Sequence, residues 1–166
     1  MNDARETRKR TYWSTASELS QEAFAAWCKP DAAISPVAIV ATIDPDGAPR
    51  TALFGSLRAV TPRVLRLCTV RDHDTFANLC RDGRVMVSLV SPPDVAVSVR
   101  GRARVVKEWM AHDEHFAIVE IDVEEVKNDM AYRVIIEGTI TISAKERFKP
   151  WYDAAMREVE SLQSPL

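Results

Sequence analysis

The sequence predicts a mainly β, α+β fold: a six-stranded antiparallel β-barrel with three short flanking helices. Three observations carry that prediction. Apolar and polar residues alternate with period two through most of residues 37–142, which is the signature of half-buried strands. The breaks between these runs are hairpin-length turns rich in Pro, Asp and Gly. Stretches of helical period are too few to connect parallel strands, each of which needs a crossover helix. So many antiparallel strands must close or stack to hide their edges, and a small barrel is the economical arrangement.

Each element follows in order. The start, to about residue 16, is polar and reads as a mobile arm; residues 17–166 read as one domain ending in a helix. Ser20 is placed to cap a first helix, with Leu19 and Phe24 at hydrophobic-staple positions and Pro30 as the stop. Val37 to Ile43 is a strand apolar on both faces, and Asp44-Pro45-Asp46-Gly47 turns it back into a partner running from Pro49 to Val60. Gly55 inside that partner marks a bulge or a close approach to the backbone. A third strand spans Val64 to Val70, and Phe76, Leu79 and Cys80 share one face of a short helix closed by Asp82-Gly83. Val85 to Leu89 is a fourth strand. The fifth is the clearest: Val95, Val97, Val99, Gly101, Ala103 and Val105 oppose Ala96, Ser98, Arg100, Arg102 and Arg104. Val119 to Val123 and Val134 to Ile142 alternate in the same way. An amphipathic helix from about Pro150 ends the chain, with Phe148, Trp151, Tyr152, Ala155, Met156, Val159 and Leu162 on one face.

Composition limits what such a domain does. The chain has 166 residues, 46% of them hydrophobic and 28% charged, with a net charge of −2. That size and balance suit one globular domain and give no bulk attraction to nucleic acid or an acidic membrane. No apolar run reaches the ~20 residues of a membrane helix. Met1 to Arg10 is polar and basic without an apolar core behind it, so a secretory signal is not expected and a cytoplasmic location is. Cys28, Cys68 and Cys80 show no metal or redox spacing and read as buried, reduced thiols. His112-Asp113-Glu114-His115 lacks a third metal ligand and reads as a polar turn.

The order of these pieces resembles a known family. Ala38-Ile39-Val40-Ala41-Thr42-Ile43 with its Asp44-Pro45-Asp46-Gly47 turn, then Leu67-Cys68-Thr69, Asn78-Leu79, Arg84 to Leu89, and Val97 to Ala103 are similar to the pyridoxamine 5'-phosphate oxidase-like split β-barrels. The resemblance covers about residues 35–108. It implies a homodimer with flavin mononucleotide (FMN) at the subunit interface, and oxidation or reduction of a small molecule. Flavin-binding members carry Thr-x-x-x-Ser-Arg-Lys-x-x-x-Leu after the third strand, because a phosphate dianion needs cations and amides at a helix start. Here Thr69 and Leu79 match that pattern, whereas its Ser, Arg and Lys positions hold His73, Asp74 and Thr75. The family's second-strand arginine and lysine fall on Ala52 and Leu57. The resemblance therefore places a cofactor against Arg50, Thr51, Leu53, Arg58, Arg66, Thr69, His73 and Thr75, with Arg58 or Arg66 as replacement phosphate cations. No catalytic acid or base is legible.

Two functions stay open at this point. One is an FMN-dependent oxidoreductase. The other is a non-catalytic barrel that holds or senses a flavin, deazaflavin or haem, or has lost the site. Arg100, Arg102 and Arg104 are expected to pair with Glu120, Asp122 and Glu137. Trp109 and Trp151 are core, dimer or ring-stacking candidates, and Ile118 and Ile135, apolar on otherwise polar faces, are candidates for a twofold contact.

Overall fold

A computed structural model describes residues 13–163. Its strands are β1 (Thr15–Ala16), β2 (Ala38–Ile43), β3 (Pro49–Phe54), β4 (Arg58–Thr61), β5 (Val64–Val70), β6 (Arg84–Ser91), β7 (Val95–Lys107) and β8 (Phe116–Asn128). The helices are α1 (Gln21–Trp27), α2 (Asp74–Arg81) and α3 (Lys149–Ser161), the last preceded by a single 3-10 turn over Glu146–Phe148. All strands belong to one 8-stranded antiparallel sheet in the order β3-β2-β6-β7-β8-β5-β4, with β1 added beside β8. The mainly β, α+β fold with three flanking helices is as the sequence predicts; the strand count is eight where the sequence suggested six.

Two local events add strands. The run from Pro49 to Val60 is not one strand: it breaks at Gly55-Ser56-Leu57 into β3 and β4, which lie at opposite ends of the sheet order. Four Cα steps separate Phe54 from Arg58, a reach of at most about 14 Å, so the two ends of the sheet must curl to within that distance. That is the split of the barrel. The end of the expected arm also pairs, Thr15 with Lys127 and Ala16 with Val126; residues 1–12 lie outside the described residues.

The run from Val134 to Ile142 is not a strand. Its backbone bonds scatter to Pro93 (from Ile136 N, 2.8 Å) and to the Val37 amide (Ile140 O, 2.8 Å), and its side chains are largely exposed. Period-two alternation favours extended backbone, but a ladder also needs a partner edge running alongside, and this segment crosses the sheet instead. Ile135 is 71% exposed, whereas Ile118 is fully buried inside the chain and offers no partner surface.

The fold has two cores. The barrel interior takes Trp27, Val40, Leu57, Leu65, Leu67, Val87, Leu89, Val99, Val119 and Ile121. Each such aliphatic side chain contributes about 1.5–3 kcal/mol by leaving water. The second core lies between β5, β8 and α3, from Cys68, Met110, Ile118, Ala155, Met156 and Val159. Alternation on β5 thus serves both: Leu65 and Leu67 point into the barrel, Arg66 and Cys68 toward α3. Ser20 caps α1 by accepting from Ala23 N at 3.2 Å, and Gly47 closes the β2–β3 turn at φ 88°. Of the cysteines only Cys68 is buried; Cys28 is intermediate and Cys80 exposed, since the face of α2 that carries Cys80 is not fully covered.

The split has its own chemistry. Carbonyls at the break have left the ladder and need donors. Lys29 supplies them: its Nζ donates to the carbonyls of Pro36 (2.9 Å), Gly55 (2.6 Å) and Leu57 (2.8 Å). A Cβ on Gly55 would sit 2.7 Å from the Ile34 carbonyl oxygen, so only glycine allows this approach. Burial, and then the charge of Arg58, push the Lys29 pKa from 10.5 down to about 7. The unfolded chain holds the extra proton between those values, so stability should rise with pH from about 7 to about 10.5. Lys29→Met should flatten that rise and cost about 3 kcal/mol, read from urea unfolding midpoints at about pH 7.5 and about pH 9.

Candidate functional site

The barrel's open side holds a cavity of about 540 Å³. It runs along the free edge of β3 (Arg50 to Phe54) and the break at Gly55 and Ser56, facing Cys68, Thr69 and Val70 at the end of β5. The start of α2 contributes His73 and Asp74, and α3 contributes Trp151, Tyr152 and Met156, with Phe116 and Ile142 beside them. Concave sites of this size with mixed lining are typical of small-molecule binding.

The expected site residues divide into two sets. Arg50, Thr51, Leu53, Thr69 and His73 all line this cavity. Arg58, Arg66 and Thr75 do not. Arg58 is 2% exposed and spans the split: NH2 donates to Ala33 O at 2.8 Å, NH1 to Lys29 O at 3.3 Å, and NH1 also pairs with the Glu160 carboxylate on α3. Arg66, its cross-strand neighbour, is 1% exposed; it donates to Glu120 Oε1 from Nε (2.9 Å) and NH2 (2.5 Å), and to Val159 O at 2.8 Å. Two adjacent guanidinium groups are each matched by a glutamate, and both tie α3 to the sheet. Within the chain both are engaged by its own acids and carbonyls. Thr75 is buried on the inward side of α2.

Arg71 and the arginines of β7 have partners of their own. Arg71 lies over the Trp109 ring at 4.9 Å with Glu108 at 3.6 Å, which places Trp109 outside the cavity lining. Arg104 reaches Glu120 (2.5 Å) and Asp122 (3.1 Å) as expected, but Arg100 and Arg102 turn to Glu125 and Glu124 rather than to Glu137. Glu137 belongs to the segment that forms no strand, so it has no register with β7.

On the cavity rim Arg50 is held by its own turn. Its Nε lies 2.8 and 2.9 Å from the two Asp44 oxygens and its NH2 2.7 Å from Oδ2, with Asp74 Oδ2 at 3.8 Å. Asn78 donates a further bond to Asp44 Oδ1 (2.8 Å) and one to Thr42 Oγ1 (3.0 Å). Arg50 first and Asn78 second hold the Asp44 carboxyl below its usual range. His73 caps α2: its Nδ1 accepts from Thr75 N at 3.1 Å. Sequence reasoning missed the Asp44–Asn78 support, because the turn explained Asp44 and the family pattern explained Asn78.

The apolar wall comes from elements distant in sequence. Trp151 stacks at a tilt on Phe116 (4.8 Å), packs edge-on to Tyr152 (5.0 Å), and donates from Nε1 to Asp113 Oδ2 at 3.0 Å. Asp113 is thereby engaged, and among the described residues no group of three potential ligands surrounds a metal position. Burial pushes the Cys68 thiol up to about 11, which favours the protonated form.

The pyridoxamine 5'-phosphate oxidase profile matches residues 22–145. The chain belongs to this family. Solved structures agree on the fold. A candidate pyridoxamine 5'-phosphate oxidase from Lactobacillus delbrueckii matches with a TM-score of 0.54 at 21% identity, over 67% of this chain and 94% of that one. HupZ of Group A Streptococcus matches with a TM-score of 0.51 at 18% identity, over 75% and 99%. General Stress Protein 26 from Bacillus anthracis matches with a TM-score of 0.51 at 15% identity, over 66% and 94%. A search of curated proteins finds no match. In this member of the family no described helix is long and apolar enough to cross a membrane.

If Arg66 is structural, its loss acts on folding. Arg66→Met leaves the buried Glu120 short of a partner and should lower the unfolding free energy by about 3–5 kcal/mol in urea denaturation. An unchanged midpoint would return Arg66 to the list of ligand-binding cations.

Proposed function

We propose that the cavity beside β3 binds the ring of a flavin and that the protein is an oxidoreductase acting on a small molecule. Members of the family bind flavins such as FMN or F420. One observation carries the reading: Arg50, Thr51, Leu53, Thr69 and His73, separate in sequence, converge on one cavity that also receives Trp151, Tyr152 and Met156. Aromatic and thioether groups give a flat ring an apolar, polarizable wall. A bound flavin supplies the electron chemistry, and the protein's share is orientation and exclusion of water, which is why no acid–base pair is required of the wall.

The fit is good at the ring and poor at the phosphate of FMN. Arg58 and Arg66 are paired with Glu160 and Glu120, Arg71 lies outside the cavity lining, and Arg50 faces Asp44 and Asp74. That observation favours a second reading, a module that holds a flavin, deazaflavin or haem without turnover. Flavin fluorescence titrated with the purified chain tests the site. Saturable quenching at micromolar protein is expected, and unchanged fluorescence removes the flavin from both readings. Oxidation of a nicotinamide nucleotide by the loaded protein then separates enzyme from holder.

We also propose a homodimer. The outer face of β3, β2 and β6 carries Leu53, Ile39, Ala41 and Met86, with Leu53 60% and Met86 42% exposed. This face is continuous with the cavity through Thr51 and Leu53. Apolar surface of this kind marks a contact, and a twofold copy covers it symmetrically. Sedimentation at micromolar concentration should give twice the chain mass; Leu53→Glu with Met86→Glu should give the monomer.

A further inference from the structure

We infer that this site selects a flavin lacking its terminal phosphate over FMN, an inference that rests on the flavin reading above. A terminal phosphate monoester carries nearly two negative charges at neutral pH and is held by free cations or by open amides at a helix start. Among the described residues, the cavity wall presents no cation that is not already paired with an acid. Among the described residues the only guanidinium lining the cavity is that of Arg50, and it is bound by both oxygens of Asp44 at 2.7–2.9 Å, with Asp74 at 3.8 Å. Arg50, Asp44 and Asp74 sum to a net charge of −1 (one cation, two anions). Asp44 is not free to release Arg50, because Asn78 and the β2–β3 turn hold it in place.

The start of α2 already carries a cap and an acid. The amide of Thr75 is capped by His73 Nδ1, and the first helical residue is itself an acid, Asp74. The negative charge that the helix dipole favours at its N-terminus is therefore supplied by the protein. A phosphate placed there meets the Asp74 carboxylate instead of a cation. An uncharged ribityl chain asks only for hydrogen-bond partners, and the hydroxyl residues Thr51 and Thr69 both line the cavity.

The test is a pair of fluorescence titrations of the full-length chain at low salt, one with riboflavin and one with FMN. Riboflavin should bind more tightly, by about ten-fold for one uncompensated charge contact. Asp74, with a side chain 70% exposed, tolerates replacement; Asp74→Lys should raise the affinity for FMN relative to riboflavin by about ten-fold. Circular dichroism and urea unfolding check that the variant folds. FMN binding to the natural sequence as tightly as riboflavin, or more so, overturns the inference while leaving the flavin reading intact. Quenching of neither flavin overturns the flavin reading, and the inference falls with it.

Discussion

The structure turns on three residues, Gly55-Ser56-Leu57, where the chain leaves one edge of the sheet and joins the other. A barrel closed by continuous hydrogen bonding would satisfy this backbone in its own ladder. A split barrel cannot, and the stranded carbonyls must be met by side chains. Lys29 meets those of Gly55 and Leu57, Arg58 reaches across to the carbonyls of Lys29 and Ala33, and Ser56 Oγ donates to Cys68 O at 2.9 Å. Buried cations next to one another then require acids. Glu160 comes from α3 and Glu120 from β8, so the seam also fixes where the C-terminal helix docks.

The cavity is a consequence of that seam. Opening the sheet between β3 and β4 leaves a cleft, and α3, held by Arg58 and Arg66, brings Trp151, Tyr152 and Met156 to its far wall. The site is built by the same arginines that the family resemblance made candidates for ligand contacts. A guanidinium serves one of these purposes at a time. Neither lines the cavity, whose rim carries Arg50, Asp44 and Asp74.

Most of the fold was legible in the sequence because it depends on local period and turn chemistry. The β2–β3 hairpin, the capped α1, the alternation of β7 and the amphipathic α3 each follow from residues within a few positions of one another. Where reasoning from period failed, the missing information was a partner. Val134 to Ile142 alternates as well as any strand, yet no edge lies beside it. The chain from Pro49 to Val60 looks continuous, and only the packing of Gly55 against Ile34 shows why it breaks. The site was legible in half: the cavity residues Arg50, Thr51, Leu53, Thr69 and His73 sit on segments whose order the family pattern preserves.

By itself, then, the sequence determined a β-rich split barrel, its helices and the strands that border its cleft, since periodicity and caps act over short distances. Only the tertiary structure decided which charges border the cavity and which face the interior. Arg50, Arg58 and Arg66 are equivalent along the chain, each an arginine on a strand. Their roles differ because acids from remote elements, Asp44 across a turn, Glu160 on α3 and Glu120 on β8, reach them in three dimensions and neutralise them where they stand.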